Sequence, residues 1–371
     1  PPTPQPIHDT TPGWAFTAQI IPAGGMATAG PFGINLRDAP RRDAKNIGFV
    51  PGNASMIVTG QPQGEYTPVR VNDDDLQEPF SPATIVNATT VPDVVDPEPT
   101  PLGSARIGLH ASADPDIRDA EIAEFKQMRP GLIKVLSFHN PAGIRKLAQQ
   151  HPDASWIVRT FLDFGGRHIS PQQFFNDTIS DTERTLGVLQ GREVVIELHN
   201  EPNLVPEGMS STWKDGLAFK DWWLELLGLY RQRLPGRRFI YPGLSPGASV
   251  RNLKMDHVEF IEASRDAIKA ADGLGVHIYW SHVYAMETAL GVLDDYITRF
   301  REVPIWVTEA SNNKPQTPAF RKGMQYIEFW SELQKRPSVQ GVTYFVASAS
   351  NPDFASEVWT GRGIGEVVGR R

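Results

Sequence analysis

Residues 193–203 read Glu-Val-Val-Ile-Glu-Leu-His-Asn-Glu-Pro-Asn, a short apolar run followed by a polar turn. The β-branched residues 194–196 predict a short buried strand. Pro202 ends the hydrogen-bond ladder of that strand, because proline has no backbone N–H to donate. Asn200 and Glu201 are therefore predicted at the C-terminal tip of a strand, where α/β barrels hold their reacting groups.

The composition is that of an ordinary soluble globular protein and excludes several classes. The 371 residues are 40% hydrophobic and 21% charged, with a net charge of −7. An acidic chain of this kind is not expected to bind nucleic acid or an anionic membrane surface. No apolar run approaches the length of a membrane span. The absence of cysteine excludes disulfides, thiol catalysis and thiolate metal sites.

The first 104 residues differ in composition from the rest of the chain. Residues 1–12 are Pro-rich and predict a tail, and residues 72–104 are rich in Asp and Pro and predict an extended linker. Between them, residues 13–71 carry Gly and Pro at short intervals, which predicts an all-β module of about five short strands. The chain opens on Pro1 instead of Met, so we expect a secreted or cell-surface protein whose signal peptide has been removed.

Two segments of this module carry a family pattern. Residues 35–40 read Asn-Leu-Arg-Asp-Ala-Pro, and residues 48–51 read Gly-Phe-Val-Pro before a closing strand at residues 69–71. The module resembles the bacterial SH3-like domains. That resemblance implies a cell-wall or polysaccharide ligand, and a spacer domain without a ligand is the alternative.

From residue 105 to residue 371, apolar strands alternate with amphipathic helices, which is typical of parallel βα units. Eight such units predict an α/β fold of the (β/α)8 TIM-barrel type, with a doubly wound open sheet as the alternative. No Gly-x-Gly-x-x-Gly turn follows the first strand and no P-loop is present, so nucleotide binding has little support. The strands are predicted at residues 105–111, 132–138, 155–162, 193–199, 238–242, 273–279, 304–308 and 341–347.

Local signals within this region place the helices. A capping residue followed by proline predicts a helix start at Asp114-Pro115, Asn140-Pro141, Ser170-Pro171 and Thr317-Pro318. The helix after the fourth strand carries a stripe of large apolar side chains at helical spacing, which we expect to pack on the sheet. That stripe consists of Phe219, Trp222, Trp223, Leu226, Leu227 and Tyr230.

A second carboxylate, Glu309, ends the seventh predicted strand. A barrel brings the tips of all its strands to one face, so Glu201 and Glu309 are expected to face each other across a cleft. Two such carboxylates can cleave a glycosidic bond when one stays protonated and the other stays ionised. The alternative is that each carboxylate is paired with a nearby arginine.

Asn200-Glu201-Pro202 and Glu309 resemble the clan A retaining glycoside hydrolases. Residues 197–204 are similar to a signature of the family that contains β-xylosidases, α-iduronidases and some bacterial exopolysaccharide endoglycosidases. The resemblance implies that Glu201 is the acid/base, that Glu309 is the nucleophile and that Asn200 binds the sugar 2-hydroxyl.

His277-Ile278-Tyr279 resembles the His-x-Tyr segment of the same clan. The resemblance implies that the hydroxyl of Tyr279 holds Glu309 oriented and ionised. For His277, a structural histidine of the barrel is the alternative.

The sequence also departs from the family pattern. His199 stands where the family usually has Trp, and the eighth strand lacks the Trp that commonly floors the first sugar site. Trp280 or Trp359 could take that place, although either is equally plausible as core. We count His199 and Trp280 among the candidate substrate-binding residues.

Two cations complete the candidate set of substrate-binding residues. Lys134 lies on the second predicted strand and Arg159 on the third. We expect one of them to neutralise Glu197 or to lie near Glu309.

These patterns predict a retaining glycoside hydrolase that acts on a carbohydrate through a glycosyl-enzyme, with the two carboxyls about 5 Å apart. A non-catalytic glycan- or wall-binding protein and a peptidoglycan hydrolase are the alternatives. No His, Asp and Glu residues occur at metal-ligand spacing, and the predicted chemistry needs no cofactor or metal.

Overall fold

The computed structural model divides the chain into two compact units, residues 1–95 and 96–371. The predicted linker lies outside the described residues, apart from Asn72 at its start. The structure describes residues 10–16, 20–23, 26–29, 34–41, 44, 46–50, 54–72, 105–281 and 284–371.

The first unit contains a seven-stranded antiparallel sheet in the order β2-β3-β6-β7-β1-β4-β5. The sequence predicts about five strands. The first two strands carry a weak strand signal, because Pro12 and Gly13 lie within β1 and Pro22 lies within β2. The strands are β1 (Thr10–Phe16), β2 (Ile20–Ala23), β3 (Met26–Ala29), β4 (Ile34–Arg37), β5 (Asn46–Val50), β6 (Ser55–Val58) and β7 (Tyr66–Asn72).

The second unit is a closed barrel of eight parallel strands, which confirms the predicted (β/α)8 fold. Each strand pairs with its sequence neighbours, and the last strand pairs with the first to close the barrel. The strands are β8 (Arg106–His110), β9 (Leu132–Leu136), β10 (Ser155–Arg159), β11 (Val194–Glu197), β12 (Arg238–Tyr241), β13 (Gly273–Trp280), β14 (Ile305–Asn312) and β15 (Val339–Tyr344).

Helices follow the strands around the outside of the barrel. The predicted aromatic stripe lies on α4, and all six of its side chains are buried. The helices are α1 (Asp119–Met128), α2 (Pro141–Gln150), α3 (Pro171–Val188), α4 (Gly216–Arg233), α5 (His257–Ala263), α6 (Arg265–Ala270), α7 (Met286–Arg299), α8 (Ala319–Leu333) and α9 (Ile364–Val368). None of these helices, in the described part of the chain, has the length and apolar character needed to span a membrane.

Two of the four predicted caps have the expected geometry. The Asn140 side chain accepts a hydrogen bond from the N–H of Ala142 and opens α2, and Ser170 opens α3 in the same way. The prediction for Asp114-Pro115 is wrong, because α1 starts only at Asp119. At the remaining pair, Pro318 itself is the capping residue of α8, and the cap has no side-chain hydrogen bond.

The barrel interior is filled by apolar side chains, so polar groups at the strand tips lie above a closed core. Leu132, Ile157, Val195, Ile240 and Trp306 form one cluster contributed by five different strands. A packed interior of this kind confines the reacting groups to the C-terminal face of the barrel.

Candidate active site

The tips of β11, β13 and β14 bring two carboxylates against one histidine. His277 Nδ1 lies 2.9 Å from Oε1 of Glu201 and 3.7 Å from Oε2 of Glu309. The two carboxylate oxygens are therefore separated by no more than the sum of these distances, about 6.6 Å. Residues that lie more than one hundred positions apart in sequence thus share one small site.

Glu309 is a buried carboxylate surrounded by donors. Its Oε1 accepts hydrogen bonds from Arg159 Nη1 at 2.9 Å and from Lys134 Nζ at 3.3 Å, and its Oε2 accepts one from the hydroxyl of Tyr279 at 2.7 Å. Burial opposes ionisation, but the positive charges of His277, Lys134 and Arg159 outweigh it and hold the pKa of Glu309 well below its usual value. Glu309 is therefore ionised at neutral pH.

Lys134 also pairs with Glu197 below this carboxylate. Its Nζ lies 2.8 Å from Oε2 of Glu197, and both side chains are fully buried. Burial raises the pKa of Glu197, but the charges of Lys134 and His277 overcome that effect and leave the pKa below its usual value. Lys134 thus contacts both Glu197 and Glu309. Arg159 contacts Glu309 but not Glu197.

The histidine that joins the two carboxylates is charged more readily than a free histidine. Burial disfavours the imidazolium, but Glu309 and Glu201 outweigh this and raise the pKa of His277. Space for the ring is provided by Gly243, since a Cβ atom there would lie 2.2 Å from the His277 ring. The protonated ring donates from Nδ1 to Glu201 and compensates the charge of Glu309.

The backbone at the tip of β11 is strained around the second carboxylate. His199 has φ 83° and Glu201 has φ 36°, in the left-handed region that ordinarily favours glycine. Each such residue costs on the order of 1–3 kcal/mol and persists only where its surroundings hold it. Here the N–H of Glu201 donates to Gly243 O at 3.0 Å, and the N–H of Leu204 donates to Glu201 O at 2.8 Å. The side chain of Glu201 is 18% exposed against 6% for Glu309, so it is the more open of the two.

Asn200 is joined to Glu309 through Arg159. Its Oδ1 accepts a hydrogen bond from Arg159 Nη1 at 2.7 Å, and the same nitrogen donates to Glu309. Its Nδ2 donates to Oε1 of Glu207 at 3.1 Å. The amide orientation of Asn200 is therefore fixed from both ends.

The expectation that His199 contacts substrate needs correction. The side chain is 2% exposed, and its Nε2–H donates to the backbone oxygen of Glu207 at 2.9 Å. Burial lowers its pKa to about 3, so the ring is neutral. The turn at the end of β11 directs it into a cage of aromatic rings contributed by Phe164, Phe174, Trp213, Phe219 and Trp222.

The expectation that Trp280 could form the floor of the sugar site also needs correction. Trp280 is 1% exposed and stacks on Phe329 of α8 at 4.8 Å. Alternate side chains of a strand point to opposite sides, so Tyr279 faces Glu309 while Trp280 faces the helix layer. Trp359 is likewise core and stacks on Tyr326 at 4.9 Å.

Three titratable residues at the site were missed by sequence analysis. His110, at the tip of β8, is fully buried, and burial together with the charge of Lys134 holds its pKa well below its usual value. His110 belongs to no sequence motif, and only its position at the end of a predicted strand could have indicated that it lies in the site.

The other two are carboxylic acids contributed by loops. Glu357 follows β15 and is 8% exposed. Its pKa is raised to about 7, mainly by burial and further by the charge of Glu309. Glu207 lies in the loop after β11, and burial likewise raises its pKa to about 7. The only sequence signal for Glu207 was its place in that long loop, and Glu357 had none.

Metal ligation has no support at these positions. Within the described residues, no group of three or more His, Asp and Glu side chains is arranged to hold a metal ion. The acidic residues of the site are instead paired with Lys134, Arg159 and His277.

The chain is similar to known carbohydrate-active proteins. Residues 191–362 match the family model of the glycosyl hydrolase catalytic core, and this segment includes Glu201, His277, Tyr279 and Glu309. The match supports a glycoside hydrolase. No curated protein matches the sequence.

Several solved structures are similar to the chain at low identity. A GH30 endoxylanase from Clostridium papyrosolvens is 13% identical with a TM-score of 0.46, over 72% of this chain and 73% of that one. A GH5_18 protein from Streptomyces cattleya, solved with GlcNAc, is 15% identical with a TM-score of 0.48, over 72% and 80%. A GH128 exo-β-1,3-glucanase from Blastomyces gilchristii is 15% identical with a TM-score of 0.45, over 73% and 100%.

Proposed function

We propose that the protein is a retaining glycoside hydrolase in which Glu201 is the acid/base and Glu309 is the nucleophile. The observation that carries this proposal is the contact of His277 with both carboxylates, which limits the separation of the nearer oxygens to about 6.6 Å. Retaining enzymes hold their carboxyls about 5–5.5 Å apart, whereas inverting enzymes need roughly 6.5–9.5 Å to admit a water molecule. The limit of about 6.6 Å on the separation of the two carboxylates therefore favours a mechanism that retains the anomeric configuration.

The reaction proceeds in two displacements. In the first, Glu309 forms a bond to the anomeric carbon while the glycosidic C–O bond breaks, and Glu201 gives its proton to the leaving oxygen. In the second, water attacks the anomeric carbon, its proton passes to Glu201, and the bond to Glu309 breaks. Both residues return to their starting state.

The surroundings of each carboxylate suit these roles. Glu309 is held ionised by His277, Lys134 and Arg159, which is the state that a nucleophile needs. The Tyr279 hydroxyl, 2.7 Å from Glu309, fixes the direction of the carboxylate. Glu201 is the more exposed carboxylate, as required of the group that first meets the leaving oxygen and then water. The hydrogen bond from Arg159 fixes the Asn200 side chain and supports its proposed role of binding the hydroxyl at C2 of the sugar.

The first test is release of reducing ends from plant, fungal and bacterial polysaccharides and from purified peptidoglycan. Wild type, Glu309→Gln and Glu225→Gln are assayed together, because Glu225 is an exposed carboxylate on the outer face of α4 and serves as a matched control. We expect release by wild type and Glu225→Gln and none by Glu309→Gln. Equal release by Glu309→Gln, or no release by any of the three, contradicts the proposal.

The stereochemical part is tested separately. Proton NMR of the first product should show the same anomeric configuration as the substrate, and a 2-fluoro glycoside should leave a label on Glu309 that is detected by peptide mass spectrometry. An inverted first product contradicts the double displacement even if the enzyme is active.

We further propose that the enzyme acts at the cell surface or outside the cell and that the N-terminal module, residues 13–71, binds cell wall or polysaccharide. This proposal rests on the SH3-like segments and on the separation of residues 1–95 as a compact unit. Co-sedimentation of full-length Glu309→Gln with insoluble peptidoglycan and polysaccharides tests binding. A protein that remains in the supernatant with every polymer argues against a binding module.

A further inference from the structure

A line of three hydrogen bonds leads from the buried carboxylate to a loop. Arg159 Nη1 donates to Glu309 Oε1 at 2.9 Å and to Asn200 Oδ1 at 2.7 Å. Asn200 Nδ2 then donates to Glu207 Oε1 at 3.1 Å. One hydrogen of Nδ2 is used by Glu207, and the amide has a second hydrogen to give.

The loop that carries Glu207 is held rigidly. The backbone oxygen of Glu207 accepts from His199 Nε2 at 2.9 Å. The next residue, Gly208, has φ 113°, and a Cβ atom there would lie 2.7 Å from Trp213 and 2.8 Å from Phe164. Only glycine fits this close approach, so the backbone rests directly on the aromatic cage. The carboxyl of Glu207 is therefore brought to Asn200 by a preorganised support.

We propose that Glu207 and Asn200 together recognise the C2 hydroxyl of the sugar that is transferred to Glu309. The proposal rests on the proposed glycosidase function and adds Glu207 as a specificity-determining residue. Asn200 Nδ2 donates its second hydrogen to the hydroxyl oxygen, and the Glu207 carboxyl accepts the hydroxyl hydrogen. A hydroxyl both donates and accepts hydrogen bonds, and Asn200 and Glu207 together provide a partner for each.

This arrangement defines a substrate class. Sugars with a free hydroxyl at C2 satisfy both residues, whereas a 2-deoxy sugar leaves a carboxyl and an amide N–H without a partner. Sugars with a free hydroxyl at C2, such as gluco- and xylo-configured ones, therefore fit the subsite better than 2-deoxy sugars.

The charges around Glu207 make this recognition sensitive to pH. The pKa of Glu207 is raised to about 7 by the net effect of its surroundings. Burial raises it most, Arg159 and the Asn200 hydrogen bond lower it, and the carboxylates of Glu201 and Glu309 raise it. The imidazole of His199, which contacts the same loop, stays neutral. An ionised carboxyl is the stronger acceptor, so the contribution of the C2 hydroxyl should grow as the pH rises through about 7.

The kinetic test compares 2,4-dinitrophenyl glucoside and xyloside with their 2-deoxy counterparts. The readout is the ratio of kcat/KM for the 2-hydroxy substrate to that for the 2-deoxy substrate, in wild type, Glu207→Gln and the control Glu225→Gln. At pH 8 we expect Glu207→Gln to lower this ratio about tenfold or more, because a hydrogen bond to a charged group is lost. The ratio should rise with pH in wild type and stay flat in Glu207→Gln. An equal loss on both substrates, or an unchanged ratio, overturns the proposal.

A second measurement needs no turnover. In protein labelled with [15N]asparagine, the side-chain amide signal of Asn200, assigned by its absence in Asn200→Asp, should titrate near pH 7 in wild type and not in Glu207→Gln. An amide signal that does not titrate overturns the pH-dependent part of the proposal, because Glu207 would then not ionise near pH 7. If the amide titrates but wild type neither cleaves an aryl glycoside nor releases reducing ends from any polymer of the panel, the proposed function and the C2 recognition both fail while the Asn200–Glu207 contact stands. If glycosides are cleaved with an unchanged ratio, only the recognition fails.

Discussion

Lys134 and Glu197 form an ion pair of 2.8 Å in which both side chains are fully buried inside the barrel. The same ammonium lies 3.3 Å from Glu309, so one lysine compensates two carboxylates. Removal of one partner from a buried pair leaves an uncompensated charge and is far more costly than the loss of an exposed pair. Lys134 is therefore the cation that contacts both buried carboxylates, while Arg159 and His277 also compensate Glu309.

Replacement of Lys134 by Met should lower the free energy of unfolding of the barrel by about 3–5 kcal/mol, measured by urea titration. Lys146→Met serves as the control, since its pair with Asp119 at 2.7 Å is exposed and should cost less than about 1 kcal/mol. The double variant Lys134→Met/Glu197→Gln should recover part of the loss. Equal losses for Lys134→Met and Lys146→Met would show that the buried pair has no special role.

Glu357 should make the stability of the barrel fall as the pH rises. Its pKa is raised by burial from 4.5 to about 7, so the folded state binds a proton more tightly than the unfolded state does. That contribution is complete below about pH 4.5 and is lost as the pH rises through about 7, by about 3 kcal/mol for a buried group. Glu357→Gln should therefore gain stability relative to wild type between about pH 5 and 8. Urea titrations across this range, with Glu225→Gln as control, measure the difference, and parallel curves for wild type and Glu357→Gln contradict the assignment.

The strands and their tips could be predicted from the sequence because their signals are local. The β-branched run at residues 194–196 predicted a strand, and β11 is found there, although it ends at Glu197, before the predicted bound at residue 199 and before Pro202. Alternation along β13 placed His277 and Tyr279 on one face, and both contact Glu309. These inferences needed only the period of a strand and the closure of a barrel.

The remaining parts of the site depend on long-range packing. His199 is directed into the aromatic cage by a left-handed turn that no residue type announces. Glu207 and Glu357 come from loops, and their raised pKa values arise from burial by segments distant in sequence. In the first unit, proline and glycine within β1 and β2 weaken the local strand signal. These two strands are instead defined by their pairing, β1 with β7 and β2 with β3.

Tyr279→Phe should reduce kcat about 100-fold, because it removes one preorganised donor to the nucleophile. The hydroxyl lies 2.7 Å from Glu309 Oε2, and burial raises the pKa of Tyr279 well above its usual value, so the hydroxyl donates at every working pH. Tyr230→Phe is the matched control, since its buried hydroxyl pairs with Thr178 away from the site. Steady-state kinetics should show full activity for Tyr230→Phe, and a similar loss in both variants would indicate a general packing effect.

The acid limit of activity should lie below pH 4.5, the usual pKa of a glutamic acid. His277, Lys134 and Arg159 overcome the effect of burial and lower the pKa of Glu309, so the nucleophile stays ionised in moderately acidic solution. With 2,4-dinitrophenyl glycosides, which need little acid catalysis, the acid limb of kcat/KM should reflect the ionisation of Glu309. Arg159→Gln removes one of the three cations and should move the acid limit to higher pH. An acid limit that stays in place, while circular dichroism shows a folded variant, contradicts the role of Arg159.

Gly208→Ala tests whether the aromatic cage controls the site through the loop. The new Cβ atom would lie 2.7 Å from Trp213, at a φ of 113° that alanine rarely adopts, so we expect the barrel to lose about 1–3 kcal/mol of stability. The displaced loop should also withdraw Glu207 from Asn200 and lower the preference for a C2 hydroxyl, while activity on 2-deoxy substrates changes less. Gly228→Ala is the control, because Gly228 lies within α4 with open space around its Cα, and alanine there should stabilise the helix by about 0.5–1 kcal/mol. Loss of stability in Gly208→Ala with an unchanged C2 preference would separate the packing of the loop from recognition of the sugar, and would leave the cage with a purely structural role.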